Sequence, residues 1–130
     1  MIERTLDPVR VNAVLEASYG NAMDSAALVD DLRNVCLLSE AGGALFAWRG
    51  PGIYEGHSFL TVRGRVAIGA GRDLMRHFFE QWHPAMVWGL TPANDRHVRW
   101  FNRQIGFTSH GMMPTPEGEA ELFVMEGKCL

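Results

Sequence analysis

The feature that most constrains the fold of this chain is an abrupt change from strand to helix at a basic glycine turn, Arg63-Gly64-Arg65. Residues 54–60, before the turn, are typical of a strand, and residues 66–82, after it, place apolar side chains at helical spacing. A helix that begins at such a turn presents unbonded backbone N–H groups at the positive end of its dipole. The sequence therefore predicts a binding site for a phosphate or pyrophosphate at this turn.

The length and composition predict an ordinary globular domain. A chain of 130 residues is expected to fold as a single domain around one core. Its hydrophobic content of 47% and charged content of 21% argue against disorder. The net charge of −3 gives no reason to expect nucleic acid as a partner. Because the sequence shows neither a signal peptide nor an apolar run long enough for a membrane, we expect a soluble cytoplasmic protein.

The cysteines and histidines point to neither a disulfide framework nor a metal site. Cys36 lies in an apolar, strand-like run and is expected to be buried and reduced, whereas Cys129, near the C-terminus, is expected to be exposed and reduced. The five histidines show none of the close ligand spacings of metal centres, so no metal is expected.

Capping and turn residues divide the rest of the chain into alternating elements. The predicted order is a short strand at 2–6, a helix from Asp7-Pro8 to Gly20, a helix at 26–32 capped by Asp24-Ser25, strands at 34–39, 44–48 and 54–60, a helix at 66–82, a strand at 85–90, a helix at 95–105, a strand from Phe107 and a last strand at 119–126. Gly42-Gly43 and residues 49–52 are predicted turns, and the strand at 85–90 is predicted to be buried on both faces. This order indicates an α+β fold, with a central sheet and helices on both of its faces.

Three stretches, in this order, resemble the GNAT superfamily of N-acetyltransferases, and the resemblance covers nearly the whole chain. The stretch at 63–68 is similar to the family's pyrophosphate loop, residues 86–95 to its fifth strand and following turn, and residues 98–107 to its last helix, which ends in a Gly-Phe pair. The resemblance implies a compact, bacterial or phage-type acyltransferase domain over residues 1–130, with a mixed, largely antiparallel sheet. It also implies acetyl-CoA as cosubstrate and a primary amine, on a small molecule or a peptide, as acceptor.

Three positions depart from the family pattern. If Arg63-Gly64 anchors the loop, Val66 and Ile68 replace the second and third loop glycines. An alternative register places Gly69 and Gly71 at those positions, although the spacing to Asp95 favours the first register. Asn102 stands where many relatives carry a tyrosine as general acid, and an amide cannot deliver a proton as a phenol does.

The resemblance also implies roles for particular residues. The acyl-CoA would lie between splayed strands that end near Leu60 and Met86, with its pyrophosphate held by Arg63, Gly64, Arg65, Val66, Ala67 and Ile68. A backbone N–H from Phe59, Leu60 or Thr61 would polarise the thioester carbonyl. Glu55 and His57, on one face of a strand, are the candidates to take the proton of the amine, and Asn102 is a further candidate contact to the coenzyme.

Each of these residues also has a simpler interpretation. Arg63 and Arg65 would suit a solvated turn, Glu55 a sheet surface, and His57 a hydrogen-bonded position within a sheet. The aromatic residues of the second half are expected in the core, with the alternative that one of them lines the acceptor cleft: Trp82, Trp88, Trp100 and Phe101. The missing tyrosine and glycines leave a second hypothesis open, a catalytically inactive GNAT-like module for binding or assembly. A homodimer through an exposed last strand, at residues 121–125, is a further expectation.

Overall fold

The computed structural model describes residues 1–18 and 25–127, and its elements follow the predicted order. The strands are β1 (Glu3–Arg4), β2 (Val35–Ser39), β3 (Gly42–Gly50), β4 (Ile53–Leu60), β5 (Met86–Pro92), β6 (Thr108–Thr115) and β7 (Gly118–Glu126). The helices are α1 (Pro8–Ser18), α2 (Ser25–Asp30), α3 (Gly64–Trp82) and α4 (Arg96–Gln104). Within the described ranges, no helix combines the length and the apolar character that a bilayer crossing requires. The predictions for Gly20, Asp24 and Cys129 lie outside the described residues.

Within the described residues, seven strands form one sheet in the order β1-β2-β3-β4-β5-β7-β6. Among these seven described strands, only β4 and β5 pair in parallel, and α3 is the crossover that connects them. The sheet is therefore mixed and largely antiparallel, which confirms the predicted fold class. Because β7 lies between β5 and β6, residues 121–125 do not form an exposed edge, and that prediction is wrong. The edge strand on this side is β6.

Helices cover both faces of the sheet, as predicted, because alternate side chains of the central strands point to opposite sides. On one side, Phe78 of α3 stacks on Phe46 of β3 with ring centroids 3.8 Å apart. Ile105, directly after α4, is buried in the same cluster. On the other side, Leu15 of α1 belongs to a second buried cluster that includes Phe59 of β4. The two clusters place α3 and α4 on one face and α1 and α2 on the other.

The parallel strands β4 and β5 separate before they end. Their pairing covers only Ile53–Glu55 against Met86–Trp88, although β4 continues to Leu60 and β5 to Pro92. A gap therefore opens in the middle of the sheet. Along the gap β5 loses a neighbour, so Leu90 is 40% exposed while Val87 and Thr91 are buried. The prediction that this strand is buried on both faces is wrong for that reason.

The turn between β2 and β3 also differs from the prediction. It consists of Glu40 and Ala41, and Gly42 and Gly43 are the first residues of β3. A Cβ at Gly42 would collide with the carbonyl oxygen of Phe59 on β4. Glycine is therefore required here by a close approach of two strands rather than by a turn. The remaining boundaries shift by a few residues: β3 extends to Gly50, β5 extends to Pro92, α2 ends at Asp30 and α3 begins at Gly64.

Candidate functional site

A cavity of about 260 Å³ occupies the gap where β4 and β5 separate. Its walls include Leu15 of α1 on one side of the sheet and Met75 of α3 on the other, so the cavity extends through the plane of the sheet. Most of the lining is apolar, and the polar side chains in it are His57, Ser58, Thr91, Asp95 and Asn102. An apolar chamber with a few polar groups can hold a largely apolar reacting group in a fixed orientation.

The backbone N–H of Leu60, in β4, is directed into this gap. The N–H of Thr61 donates to the carbonyl of Ala41 at 2.8 Å, which is the direction of β3. Because the backbone groups of a strand alternate in direction, the N–H of Phe59 also points to β3, whereas the N–H of Leu60 points into the gap. Because the pairing with β5 ends at Glu55, no residue of β5 accepts a hydrogen bond from the N–H of Leu60. Of the three donors suggested by the sequence, the geometry retains Leu60.

A second pocket, of about 450 Å³, adjoins the cavity, and Ser58 and Val98 line both. Its walls are the end of α1, the end of β4, the start of α3 and one side of α4, where Trp100 lies beside Phe101. Trp100 is 47% exposed, so the prediction that it belongs to the core is wrong. Its ring stacks on His97 with centroids 5.8 Å apart.

The start of α3 borders this second pocket. Arg63 is the residue before the helix, and no side chain within the described residues caps the helix N-terminus. The first N–H groups of a helix have no partner inside it. Gly64 has a φ of +66°, a conformation that glycine adopts without strain. Arg63 and Arg65 are exposed, and none of the described carboxylates pairs with either guanidinium.

The other residues of the predicted loop lie in the first turns of α3. Ala67 is buried and lines the pocket, whereas Val66 is 65% exposed and, like Ile68, does not line it. Gly69 and Gly71 lie inside α3. A Cβ at Gly71 would lie 2.9 Å from Cγ2 of Ile105, so Gly71 serves the packing of α3 against the end of α4. The free end of the helix therefore coincides with the register anchored on Arg63-Gly64.

Glu55 and His57 lie together on the side of β4 that carries α1 and α2. Oε2 of Glu55 is 2.8 Å from Nε2 of His57, and Oε1 of Glu55 accepts from Nη2 of Arg49 at 3.0 Å. Only His57 of this group lines the cavity. The arrangement suits a proton acceptor, His57, whose ring is oriented by a carboxylate that is itself held in place.

Asn102 lies on α4, on the other side of the gap. Its Nδ2 donates a hydrogen bond of 2.9 Å to Oγ1 of Thr91, at the end of β5, and both residues line the cavity. The sequence predicts Thr91 only as part of the turn after this strand. Its position could have indicated a buried role, because Thr91 lies two residues beyond Gly89 and therefore on the same face of β5 as the buried Val87.

A buried carboxylate fixes α4 against the sheet. Glu121 of β7 is 2% exposed; its Oε1 accepts from Nε of Arg99 at 2.6 Å, and its Oε2 pairs with Arg103. Burial acts to raise the pKa of Glu121, but hydrogen bonds from Ser109 and Arg99, together with the charges of both arginines, outweigh it and lower the pKa. Arg99 also donates to the carbonyl of Ala93 at 2.8 Å, which ties the turn after β5 to α4. No local pattern in the sequence indicates this cluster.

Metal ligation finds no support in the described part of the chain, where no three His, Cys, Asp or Glu side chains are grouped closely enough to hold an ion.

Comparisons with known proteins identify the fold. No family model matches the sequence, and no curated protein matches it. Solved structures do match: an F149A mutant of spermidine N-acetyltransferase SpeG from Vibrio cholerae superposes with a TM-score of 0.78 at 9% identity, over 100% of this chain and 97% of its own. Aminoglycoside acetyltransferase AAC(6')-Ib, in complex with coenzyme A, gives 0.70 at 15% identity, over 99% and 95%. A protein of the GNAT family from Desulfovibrio desulfuricans gives 0.71 at 17% identity, over 98% of each chain.

Proposed function

We propose that this chain, which has the GNAT fold over its full length, is an N-acetyltransferase that moves the acetyl group of acetyl-CoA to a primary amine. One observation carries the proposal. The start of α3, where no side chain of residues 1–18 and 25–127 caps the helix or pairs as a carboxylate with Arg63 or Arg65, borders a pocket that adjoins the cavity in the gap between β4 and β5. A diphosphate at the helix start and a thioester in the gap would both belong to one elongated ligand.

The pyrophosphate of the coenzyme would be held at the start of α3. The first N–H groups of the helix, near Gly64 and Arg65, supply donors at the positive end of the helix dipole, and Arg63 adds a charge at the pocket wall. Val66 and Ile68 replace glycines of the family's loop but do not line the pocket. Their bulk is therefore compatible with binding. Coenzyme A in the aminoglycoside acetyltransferase structure supports this choice of ligand.

The gap would hold the reacting groups. The nitrogen of the amine attacks the thioester carbon, and a C–N bond forms while the carbonyl oxygen gains negative charge. The N–H of Leu60 would stabilise that oxygen, because it points into the gap without a strand partner. His57 would take the proton of the amine, directly or through a water, with Glu55 orienting the ring. The C–S bond then breaks, and its electron pair leaves with the sulfur.

The acceptor is proposed to be a small-molecule or peptide amine that enters from the side of the sheet that carries α1 and α2, where His57 lies. The names of two structural neighbours, a spermidine and an aminoglycoside acetyltransferase, support small amines.

We further propose a cytoplasmic location and no nucleic-acid or membrane partner. A homodimer would use the edge strand β6, whose Met112 and Met113 are 45% and 39% exposed.

Calorimetry with acetyl-CoA tests the binding half of the proposal. We expect a Kd below about 100 μM, weakened by about tenfold or more in Arg63→Glu, because the new carboxylate repels the diphosphate. Arg76→Glu is the matched control: Arg76 lies on the same helix, pairs with Asp73, and lines neither pocket. A wild-type chain that fails to bind acetyl-CoA would overturn the proposal.

Release of the CoA thiol in the presence of a panel of primary amines, including spermidine and an aminoglycoside, tests the transfer half. The second candidate function is a binding or assembly module without catalysis, and Asn102 at the family's tyrosine position is the observation that favours it. Tight binding of acetyl-CoA with no thiol release above the uncatalysed rate for any amine would support this second function.

A further inference from the structure

Thr91 is a buried polar residue beside the cavity in the gap. It is 6% exposed, lines the cavity in the gap, and pairs through its backbone with Glu121 of β7 on the edge of β5 that faces away from β4. Its side chain lies on the face of the sheet that carries α4, where Asn102 reaches it. The hydroxyl thus borders the gap at the end of β5.

The hydrogen bond from Asn102 determines what the Thr91 hydroxyl can still do. Oγ1 of Thr91 accepts from Nδ2 of Asn102 at 2.9 Å. A hydroxyl has one hydrogen of its own to donate in addition to the bonds that it accepts. No acceptor within residues 1–18 and 25–127 takes this hydrogen. A buried donor beside a cavity is costly unless a ligand supplies the acceptor.

The proposed reaction produces an acceptor of the required kind in this place. With the diphosphate at the start of α3, the arm of acetyl-CoA enters the gap through the adjoining pocket, and its thioester lies in the cavity that Thr91 lines. When the C–S bond breaks, its electron pair stays on the sulfur. The resulting thiolate is an anion that a fixed O–H can stabilise more strongly than it stabilises the neutral thioester.

Of the other polar side chains of the cavity, Ser58 is a residue already engaged in another interaction, and the remaining three have different positions or partners. Oδ1 of Asp95 accepts from the N–H of Val98 and caps α4, and a carboxylate would in any case repel a thiolate. His57 lies on the opposite side of β4, beside Glu55. Asn102, the residue at the family's tyrosine position, donates an amide hydrogen to Thr91. Its effect on a ligand in the cavity is therefore exerted through the Thr91 hydroxyl.

We infer that the hydroxyl of Thr91, held in place by Asn102, donates the hydrogen bond that stabilises the departing thiolate of CoA. The inference rests on the proposed function. Thr91 keeps its proton, because a thiol is far more acidic than an aliphatic hydroxyl. The proton that leaves the amine passes to His57 or to water, and solvent returns one proton to the sulfur, so acetyl-CoA and amine yield the acetylated amine and the CoA thiol. Thr91 is the catalytic residue in this step, and Asn102 is a positioning residue.

The test measures the acidity of the CoA thiol bound to the protein, which needs no acceptor amine. The ultraviolet absorbance of the thiolate is followed against pH, with desulfo-CoA on the same protein as the blank. We expect Thr91→Val to raise the pKa of the bound thiol by about one to two units. Thr91→Ser retains the hydroxyl and should leave the pKa close to that of the wild type.

Two further variants keep the result interpretable. Thr5→Val removes another buried threonine hydroxyl, far from the gap, and should leave the bound thiol unchanged. Asn102→Ala releases Thr91 without altering the hydroxyl, and we expect a smaller rise in the pKa; this variant carries the test if Thr91→Val does not fold. Equal thiol pKa values in the wild type, Thr91→Val and Asn102→Ala overturn the inference alone. A wild-type protein that binds no CoA overturns the proposed function and this inference with it.

Discussion

Oε2 of Glu55 lies 2.8 Å from Nε2 of His57, on the side of β4 that faces α1 and α2. Arg49 holds the other carboxylate oxygen of Glu55, so the carboxylate is fixed while the imidazole borders the cavity. This relationship separates two roles that the sequence left combined. His57 is placed to exchange a proton with the amine, and Glu55 is placed to orient His57.

The first prediction follows from this division of roles. His57→Gln should lower the rate of acetyl transfer by about 10²-fold or more, the range for loss of a general base. Glu55→Gln removes the charge but keeps a hydrogen-bonding group, so we expect a smaller loss, about tenfold. Steady-state kinetics with the most active amine of the panel measures both, and calorimetry should show an unchanged Kd for acetyl-CoA. An equal rate in wild type and His57→Gln would remove His57 from the mechanism.

The second prediction concerns the glycine at the start of α3. Gly64 has a φ of +66°, and a Cβ added there would have no other atom within 4 Å. The effect of Gly64→Ala would therefore come from the strained backbone conformation and not from a steric clash. We expect a loss of about 1 kcal/mol in the free energy of unfolding, together with weaker binding of acetyl-CoA. Gly69→Ala is the matched control, because Gly69 lies inside the helix and also has open space around a Cβ. This variant should gain about 0.5–1 kcal/mol. Urea denaturation measures both, and a stabilised Gly64→Ala would contradict the assigned helix start.

The third prediction concerns acid stability. The pKa of Glu121 is lower in the folded protein than the ordinary glutamate value of 4.5. The unfolded state therefore binds more protons in this range, so the stabilisation is complete above pH 4.5 and is lost as the pH falls through the lowered pKa. Glu121→Gln should lower the free energy of unfolding by about 2 kcal/mol at neutral pH. This loss is smaller than the loss on breaking a fully buried ion pair, because both arginines are partly exposed.

The measurement is the free energy of unfolding at a series of acidic pH values. The difference between wild type and Glu121→Gln should narrow as the pH falls. Glu119→Gln, an exposed change on the same strand, serves as the control and should follow the wild-type curve. A difference that stays constant with pH would mean that the charge of Glu121 does not stabilise the fold.

The fourth prediction concerns the exposed aromatic at the second pocket. Trp100 is 47% exposed and lines the pocket that Arg63 and Gly64 also border. A purine beyond the diphosphate could stack on this ring, so Trp100→Ala should weaken acetyl-CoA binding by about tenfold, and Trp100→Phe should weaken it less. Neither variant should alter the Kd for acetylpantetheine, which has no purine. Equal losses for both ligands would exclude stacking as the cause.

Much of the fold follows from short-range patterns in the sequence. Asp7 and Asp95 were predicted as a helix N-cap and a helix start, and their carboxylates accept from the N–H groups of Val9 and Val98. The strand-to-helix change at Arg63-Gly64 could be predicted equally well, because caps, turns and apolar spacing each depend on only a few neighbouring residues. The order of the elements, and with it the fold class, could therefore be predicted.

The site depends on contacts between distant residues, which the sequence could not specify. Glu121 resembles any other glutamate in an alternating strand, yet the fold buries it against Arg99 and Arg103 of a helix. The sequence predicts Thr91 as a turn residue. In the structure, β5 extends to Pro92 and places Thr91 beside Asn102.

Local spacing thus determined which segments form helices and strands, and where an anion could meet a helix start. Only the tertiary structure decided that β4 and β5 separate after Glu55, that β6 rather than β7 forms the edge, and which polar groups share the cavity between the parted strands. The physical reason is that strand register and burial are set by packing between elements far apart in the chain, whereas caps and periodicity are set by neighbours within one or two turns.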